Sequence, residues 1–140
     1  MGAPGGPRFS QNTDHYWDVV ALENRLQANG WTVTYAPNLA ANGSRAYGVT
    51  IPSMHAITVD ADLAWDARYA VLAHEGGHSL QPAWLGPNEG ECFAEGVAVV
   101  LVGGGVRNSA RYLSAVRWSC LGLFLSEHRA IYRAAALLDD

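Results

Sequence analysis

The stretch Ala73-His74-Glu75-Gly76-Gly77-His78 carries residue types at a spacing that can do chemistry. From His74 it reads H-E-x-x-H, inside a segment, Trp65 to Leu80, whose pattern predicts a helix. Residues i and i+4 of a helix lie one turn apart on one face, so His74 and His78 can aim imidazole nitrogens at one ion. Glu75 sits about 100° round the helix from His74, placed to reach a water and not the ion. A bound zinc lowers the pKa of its water to about 7, and a neighbouring carboxylate can then take the proton.

Two histidines leave such a centre short, because catalytic zinc usually has three protein ligands and one open position. The next helical stretch offers Glu89, Glu91 and Glu95. Within Glu91-Cys92-Phe93-Ala94-Glu95-Gly96-Val97-Ala98, Glu91 is the expected third ligand. Ala94 would let two helices approach, and Glu95, one turn on from Glu91, would orient a histidine from behind. Glu89 and Glu95 remain fallback ligands.

These residues need elements to hold them. Residues 1–12 read as a flexible Gly/Pro-rich arm, leaving 13–140 as a single domain. Thr13 or Asp14 can cap a first helix ending near Asn29, with His15, Val19, Leu22 and Leu26 as its buried stripe and Gly30 as its terminal cap. Alternation then predicts three short strands: Trp31 to Tyr35, Tyr47-Val49-Ile51, and His55-Ile57-Val59, the last two close enough to pair as a hairpin. Asn38 to Ser44, with Asn42-Gly43, reads as a turn.

Asp60 and Asp62 lead into the motif helix, where acids suit the positive end of the helix dipole. Gly76 and Gly77 weaken that helix by up to about 1 kcal/mol each, unless another backbone comes close there. A second helix is expected from Glu89 to Val102, and a last helical region from Asn108 or Ser109 to Leu138, broken near Ser126. The predicted class is therefore α+β. Trp65, Trp84 and Trp118 read as core aromatics.

Composition narrows the function classes. The chain has 140 residues, 49% of them hydrophobic, and a formal net charge of −4, enough to bury a core without staples. All 9 basic residues are Arg and none form a run, so a nucleic-acid partner is not expected. The longest apolar run, Val97 to Val102, is far below the roughly 18 residues that a membrane span needs. The start has no signal pattern, which predicts a cytoplasmic location. Cys92 and Cys120 lie in apolar helical surroundings and are expected as reduced, buried thiols.

Taken together, Arg68-Tyr69-Ala70-Val71-Leu72-Ala73-His74-Glu75-Gly76-Gly77-His78 and the Glu91 motif resemble the glutamate-zincins, and among them the ImmA/IrrE-like metallopeptidases of phages and mobile elements. The resemblance spans roughly residues 14 to 102. Glu95 stands where that family usually has Asn or Asp, and Val97 where it has Phe. The resemblance implies a minimal zincin-like domain: an N-terminal helix, a small three-stranded sheet, the H-E-x-x-H helix, a second ligand helix and a C-terminal helical region. It also implies Zn2+ held by His74, His78 and Glu91, Glu75 as general base, and a protein or peptide substrate such as a repressor.

Three functions fit the residues: a zinc metallopeptidase, a zincin-fold regulatory or binding protein with little turnover, and a structural zinc domain. The last would need a fourth ligand such as His55 or His128. An intact Glu75 speaks for turnover, since a pure binder would not need it. His128 and Tyr112, in the last helical region, are candidate donors to a developing oxyanion.

Overall fold

The computed structural model describes residues 15–39, 47–103, 116 and 118–139. The arm over 1–12, the caps Thr13 and Asp14, the Asn42-Gly43 turn, Tyr112 and the start of the last helical region lie outside the described residues.

Helix α1 (Tyr16–Ala28) buries Val19, Leu22 and Leu26 at 2% exposure or less, the stripe expected from the 4, 3, 4 spacing. His15 does not join that stripe. It is the N-cap residue and stacks on the Tyr69 ring at 5.6 Å. Gly30 takes φ +89°, which a side chain would strain, and the Trp31 N–H returns to the Leu26 carbonyl at 3.0 Å to close the helix.

Three strands follow: β1 (Thr32–Ala36), β2 (Gly48–Ile51) and β3 (Ala56–Asp60). The sheet order is β1-β3-β2. The central β3 runs parallel to β1, with Val33 opposite Ile57, and antiparallel to β2, with Thr50 opposite Ile57. Ile57 and Val59 are fully buried, as alternation predicts.

Two details of the sheet differ from the sequence reading. His55 lies outside β3, in the left-handed conformation (φ +49°) after a 3-10 turn at Pro52–Met54, and its ring stacks on Trp31 at 4.9 Å. Tyr47, just before β2, and Ile51, at its end, are 52% and 41% exposed, while Gly48 and Thr50 pack against the motif helix. The inward face of β2 is small and polar because a carboxylate-bearing helix lies directly beneath it.

The motif helix α2 (Trp65–Ser79) and the next helix α3 (Pro87–Val102) form the largest interface of the fold. A methyl group on Gly77 would stand 2.8 Å from the Ala94 Cα and 3.0 Å from its carbonyl oxygen. The glycine in H-E-G-G-H is therefore what lets α3 lie close against α2. Arg68 and Tyr69, which precede the motif, fix α2 from both sides. The Arg68 Nη2 donates to the Ala61 and Leu63 carbonyls at 2.7 and 3.1 Å, and its guanidinium lies over the Trp65 and Tyr35 rings. The Tyr69 hydroxyl donates to the Leu101 carbonyl on α3. Burial, with the Asp18 and Asp139 carboxylates nearby, pushes that hydroxyl up to about 12, so it stays a neutral donor. Asp60 and Asp62 shape the turn before α2, the Asp62 N–H donating to Asp60 Oδ1, instead of capping the helix; Asp66 is the acid in its first turn.

The chain ends in α4 (Leu121–Ser126) and α5 (His128–Leu138), broken at Glu127, close to the expected position. α5 buries Ile131, Ala134, Ala135 and Leu138 against α3 and the other helices. The molecule is thus α+β, with five helices and a small mixed sheet among the described residues. No helix of the described residues is long and apolar enough to cross a membrane.

The expectation for the tryptophans fails in two places. Trp65 packs against the core, but Trp84 and Trp118 are 67% and 86% exposed, both in segments between the α-helices; the buried core tryptophan is Trp31. The cysteines are corrected too. Cys92 on α3 and Cys120, at the end of a 3-10 turn (Trp118–Cys120), form a disulfide. Both positions do lie in apolar surroundings, but the chain returns Cys120 to α3, which spacing alone could not reveal.

The bond closes a loop with a sequence separation of 28, which in the chain-entropy view amounts to roughly 3–4 kcal/mol. We expect Cys120→Ser to lower unfolding stability by about that amount, read from denaturant titrations of the variant and of the oxidised wild type. Equal midpoints would show that the bond does not constrain the chain.

Candidate metal centre

His74 and His78 project from one face of α2, as the i, i+4 spacing requires, with ring centroids 4.9 Å apart. The close α2–α3 contact brings Glu91, on the first turns of α3, directly opposite. Its Oε1 lies 3.1 Å from His74 Nε2 and its Oε2 lies 2.8 Å from His78 Nε2. Among the described residues these three form the one group whose ligand atoms converge on a point.

The donor set fits zinc. In a tetrahedral site with bonds of about 2.0–2.1 Å, ligand atoms stand about 3.3 Å apart. The Glu91 oxygens stand 3.1 and 2.8 Å from the two histidine nitrogens, and all three ligand atoms lie within 4.8 Å of one another. A carboxylate and two imidazoles also match the chemistry of a catalytic zinc, with a side left open toward the cleft. Both imidazoles are partly buried, whereas Glu91 is exposed.

Glu75 is not one of the converging groups, as expected for a residue about 100° round the helix from His74. It is 7% exposed, and its Oε1 accepts a hydrogen bond from the Thr50 hydroxyl at the edge strand β2. Its Oε2 lies beside Gly48, where an added Cβ would come within 3.0 Å. One carboxylate oxygen is therefore tethered, and the Glu75 side chain packs so closely on β2 that a Cβ at position 48 would also stand 2.8 Å from its Cγ.

His74, Glu75, His78 and Glu91 all line one cleft of about 900 Å³. Its opposite wall is β2 with Tyr47, and Trp31, Val71 and Ala83 add apolar surface. The sheet order makes β2 an edge strand.

The other sequence candidates fall out differently. Glu89 accepts from the Gly86 N–H at 3.0 Å and caps the start of α3, so it is not a ligand. Glu95 is half-buried one turn beyond Glu91 on α3 and is not one of the three converging groups. His55 and His128 do not line the cleft. His55 stacks on Trp31, and the exposed His128 bonds the Leu125 carbonyl, so neither supplies a fourth ligand or an oxyanion donor.

Sequence reasoning missed three contributors: Thr50, Gly48 and Gln81. Thr50 and Gly48 occupy ordinary strand positions, and only the β2–α2 packing gives them a role. Gln81 lies just past the helix end and contacts His78, a place that no motif marks.

Comparison of the chain with protein-family models, curated proteins and solved structures found no match.

The geometry separates two neighbouring acids. Glu91→Gln is expected to weaken zinc binding by more than the roughly 10–100-fold that loss of an outer partner costs, measured by competition with a chromophoric chelator. Glu89→Gln should leave affinity nearly unchanged and lower stability by about 1 kcal/mol through the lost cap. The reverse order would place the third ligand two residues earlier.

Proposed function

We propose that this chain is a zinc-dependent metallopeptidase, similar in its site to the glutamate-zincins. The observation that carries the reading is the convergence of His74, His78 and Glu91 at the wall of a cleft that also holds a buried, tethered Glu75.

A zinc ion held by the three groups would polarise a peptide carbonyl and acidify a water beside it. Everything else falls to the protein's own side chains. The Thr50 hydroxyl fixes one oxygen of Glu75, so the carboxylate keeps a single orientation. That carboxylate takes the proton of the attacking water as the new C–O bond forms. The same carboxylate then returns the proton to the amine nitrogen as the C–N bond breaks. Edge strand β2 and the apolar residues Trp31, Val49 and Val71 give an extended peptide a wall to lie against. Glu95, one turn from Glu91, remains the candidate for orienting His74 from behind.

The structure favours a peptidase over a structural zinc domain, because no fourth His, Cys, Asp or Glu closes the cluster among the described residues. The Cys92–Cys120 disulfide favours an oxidising compartment over the cytoplasm. It therefore weighs against a repressor and toward a protein or peptide substrate met outside reducing conditions.

Glu75→Gln is the direct test. It keeps the size of the side chain and its acceptor for Thr50 but removes the proton acceptor. Zinc content and thermal midpoint should stay near wild type while cleavage of a peptide library falls at least about 10²-fold. Cleavage near the wild-type rate would reject Glu75 as the base. Loss of zinc would show that Glu75 reaches the metal.

A further inference from the structure

We infer that Gln81 is the positioning residue for His78, fixing its tautomer through a neutral amide, and that Gly90 provides the space in which that amide sits. This rests on the zinc site proposed above and adds to it how one ligand is held and with what charge.

The argument begins at the two ring nitrogens of His78. Nε2 faces the Glu91 carboxylate at 2.8 Å and is the nitrogen of the converging group. A nitrogen that ligates a metal must present its lone pair, so the ring proton belongs on Nδ1. Nδ1 lies 2.7 Å from Gln81 Oε1, and the Nδ1–H therefore donates to the amide oxygen. That assignment also fixes the amide: its oxygen faces the ring and its NH2 group turns away.

The backbone puts Gln81 there. α2 ends at Ser79, with Leu80 as its cap, and the Gln81 N–H still reaches toward the His78 carbonyl. The chain thus curls Gln81 back over the residue three positions earlier. Pro82 follows, which disfavours continuing the helix through Gln81.

Gly90, buried on the first turns of α3, closes the other side. A Cβ on Gly90 would lie 2.7 Å from Gln81 Nε2, 3.0 Å from Oε1 and 3.1 Å from Cδ. Each of these atoms belongs to the far end of a flexible side chain. An added methyl would therefore move the amide and leave the helices in place, and the effect would appear at His78.

The choice of an amide also carries a chemical consequence. A carboxylate behind a ligating histidine makes the ring a stronger donor and adds negative charge to the site. An amide orients the ring without that charge. With Glu91 as the one anionic ligand, the centre would keep a net positive charge and with it more of the metal's Lewis acidity.

The test uses the full chain and zinc alone, with two readings. Long-range 15N–1H correlation on the zinc-loaded protein reports which nitrogen of His78 is protonated, and chelator competition reports zinc affinity. Wild type should show the Nδ1–H form. Gln81→Met, which keeps the length but not the acceptor, should lose that preference and bind zinc about 10–100-fold more weakly. Gln81→Ala is read in the same way, so a folding defect in one variant does not remove the test. Gly90→Ala should reproduce the tautomer change in a folded protein, and Gln81→Glu should restore it and bind zinc at least as tightly as wild type. An unchanged His78 tautomer with zinc affinity within twofold in Gln81→Met and Gln81→Ala would overturn the inference. Wild-type protein that takes up no zinc would reject the metallopeptidase reading and this inference with it, whereas zinc uptake that the Gln81 variants leave unchanged would reject this inference alone.

Discussion

The site depends on how closely α3 can lie against α2. Gly77 meets the Ala94 backbone at a separation that leaves no room for a Cβ on Gly77. Glu91 stands one helical turn before Ala94, so this backbone contact sets the distance from its carboxylate to the two imidazoles. A histidine pair at i, i+4 is a local property of one helix. A third ligand from another helix is a tertiary property, and a small-residue contact is a stiff way to secure it, because it leaves no side chain to repack. The Tyr69 hydroxyl on the Leu101 carbonyl ties the same two helices together further along.

The second wall of the cleft follows another rule. A half-buried strand normally turns its large apolar residues toward the core. β2 turns Gly48 and Thr50 inward and leaves Tyr47 and Ile51 substantially exposed. That inversion gives up apolar burial on a short edge strand. In return, a buried carboxylate receives a hydroxyl donor from Thr50 and packs closely against the Gly48 backbone. A buried acid without a donor would be costly, so Thr50 supports the fold as well as the orientation of Glu75.

How much of this was legible in the sequence follows from the range of each interaction. The i, i+4 pair, the buried stripe of α1, the Gly30 cap, the β2–β3 hairpin and the break near Ser126 are all written in neighbouring residues, and each lies close to where the pattern puts it. Glu91 was legible because Ala94 shares its helix and explains the approach. What could not be read depends on contacts distant in the chain. Cys92 meets Cys120 only after the chain returns to α3. Trp84 and Trp118 look like core residues by type, yet they fall in connecting segments away from the core. Thr50 meets Glu75 across 25 positions, which no local period encodes.

The glycines of the motif region suggest a common logic for the whole centre. Gly77 admits the α3 backbone, Gly48 admits the Glu75 side chain against β2, and Gly90 leaves room for the amide behind His78. Each lowers the intrinsic stability of its own helix or strand, by up to about 1 kcal/mol in a helix. That loss is acceptable only where the element is held by something else. α2 is held by Arg68 and Tyr69, and α3 by the Cys92–Cys120 bond and the α5 residue Ile131, which packs against Gly96. The stabilising contacts therefore cluster on the flanks of α2 and α3, while the segments facing the cleft keep the space that the ligands and the base require.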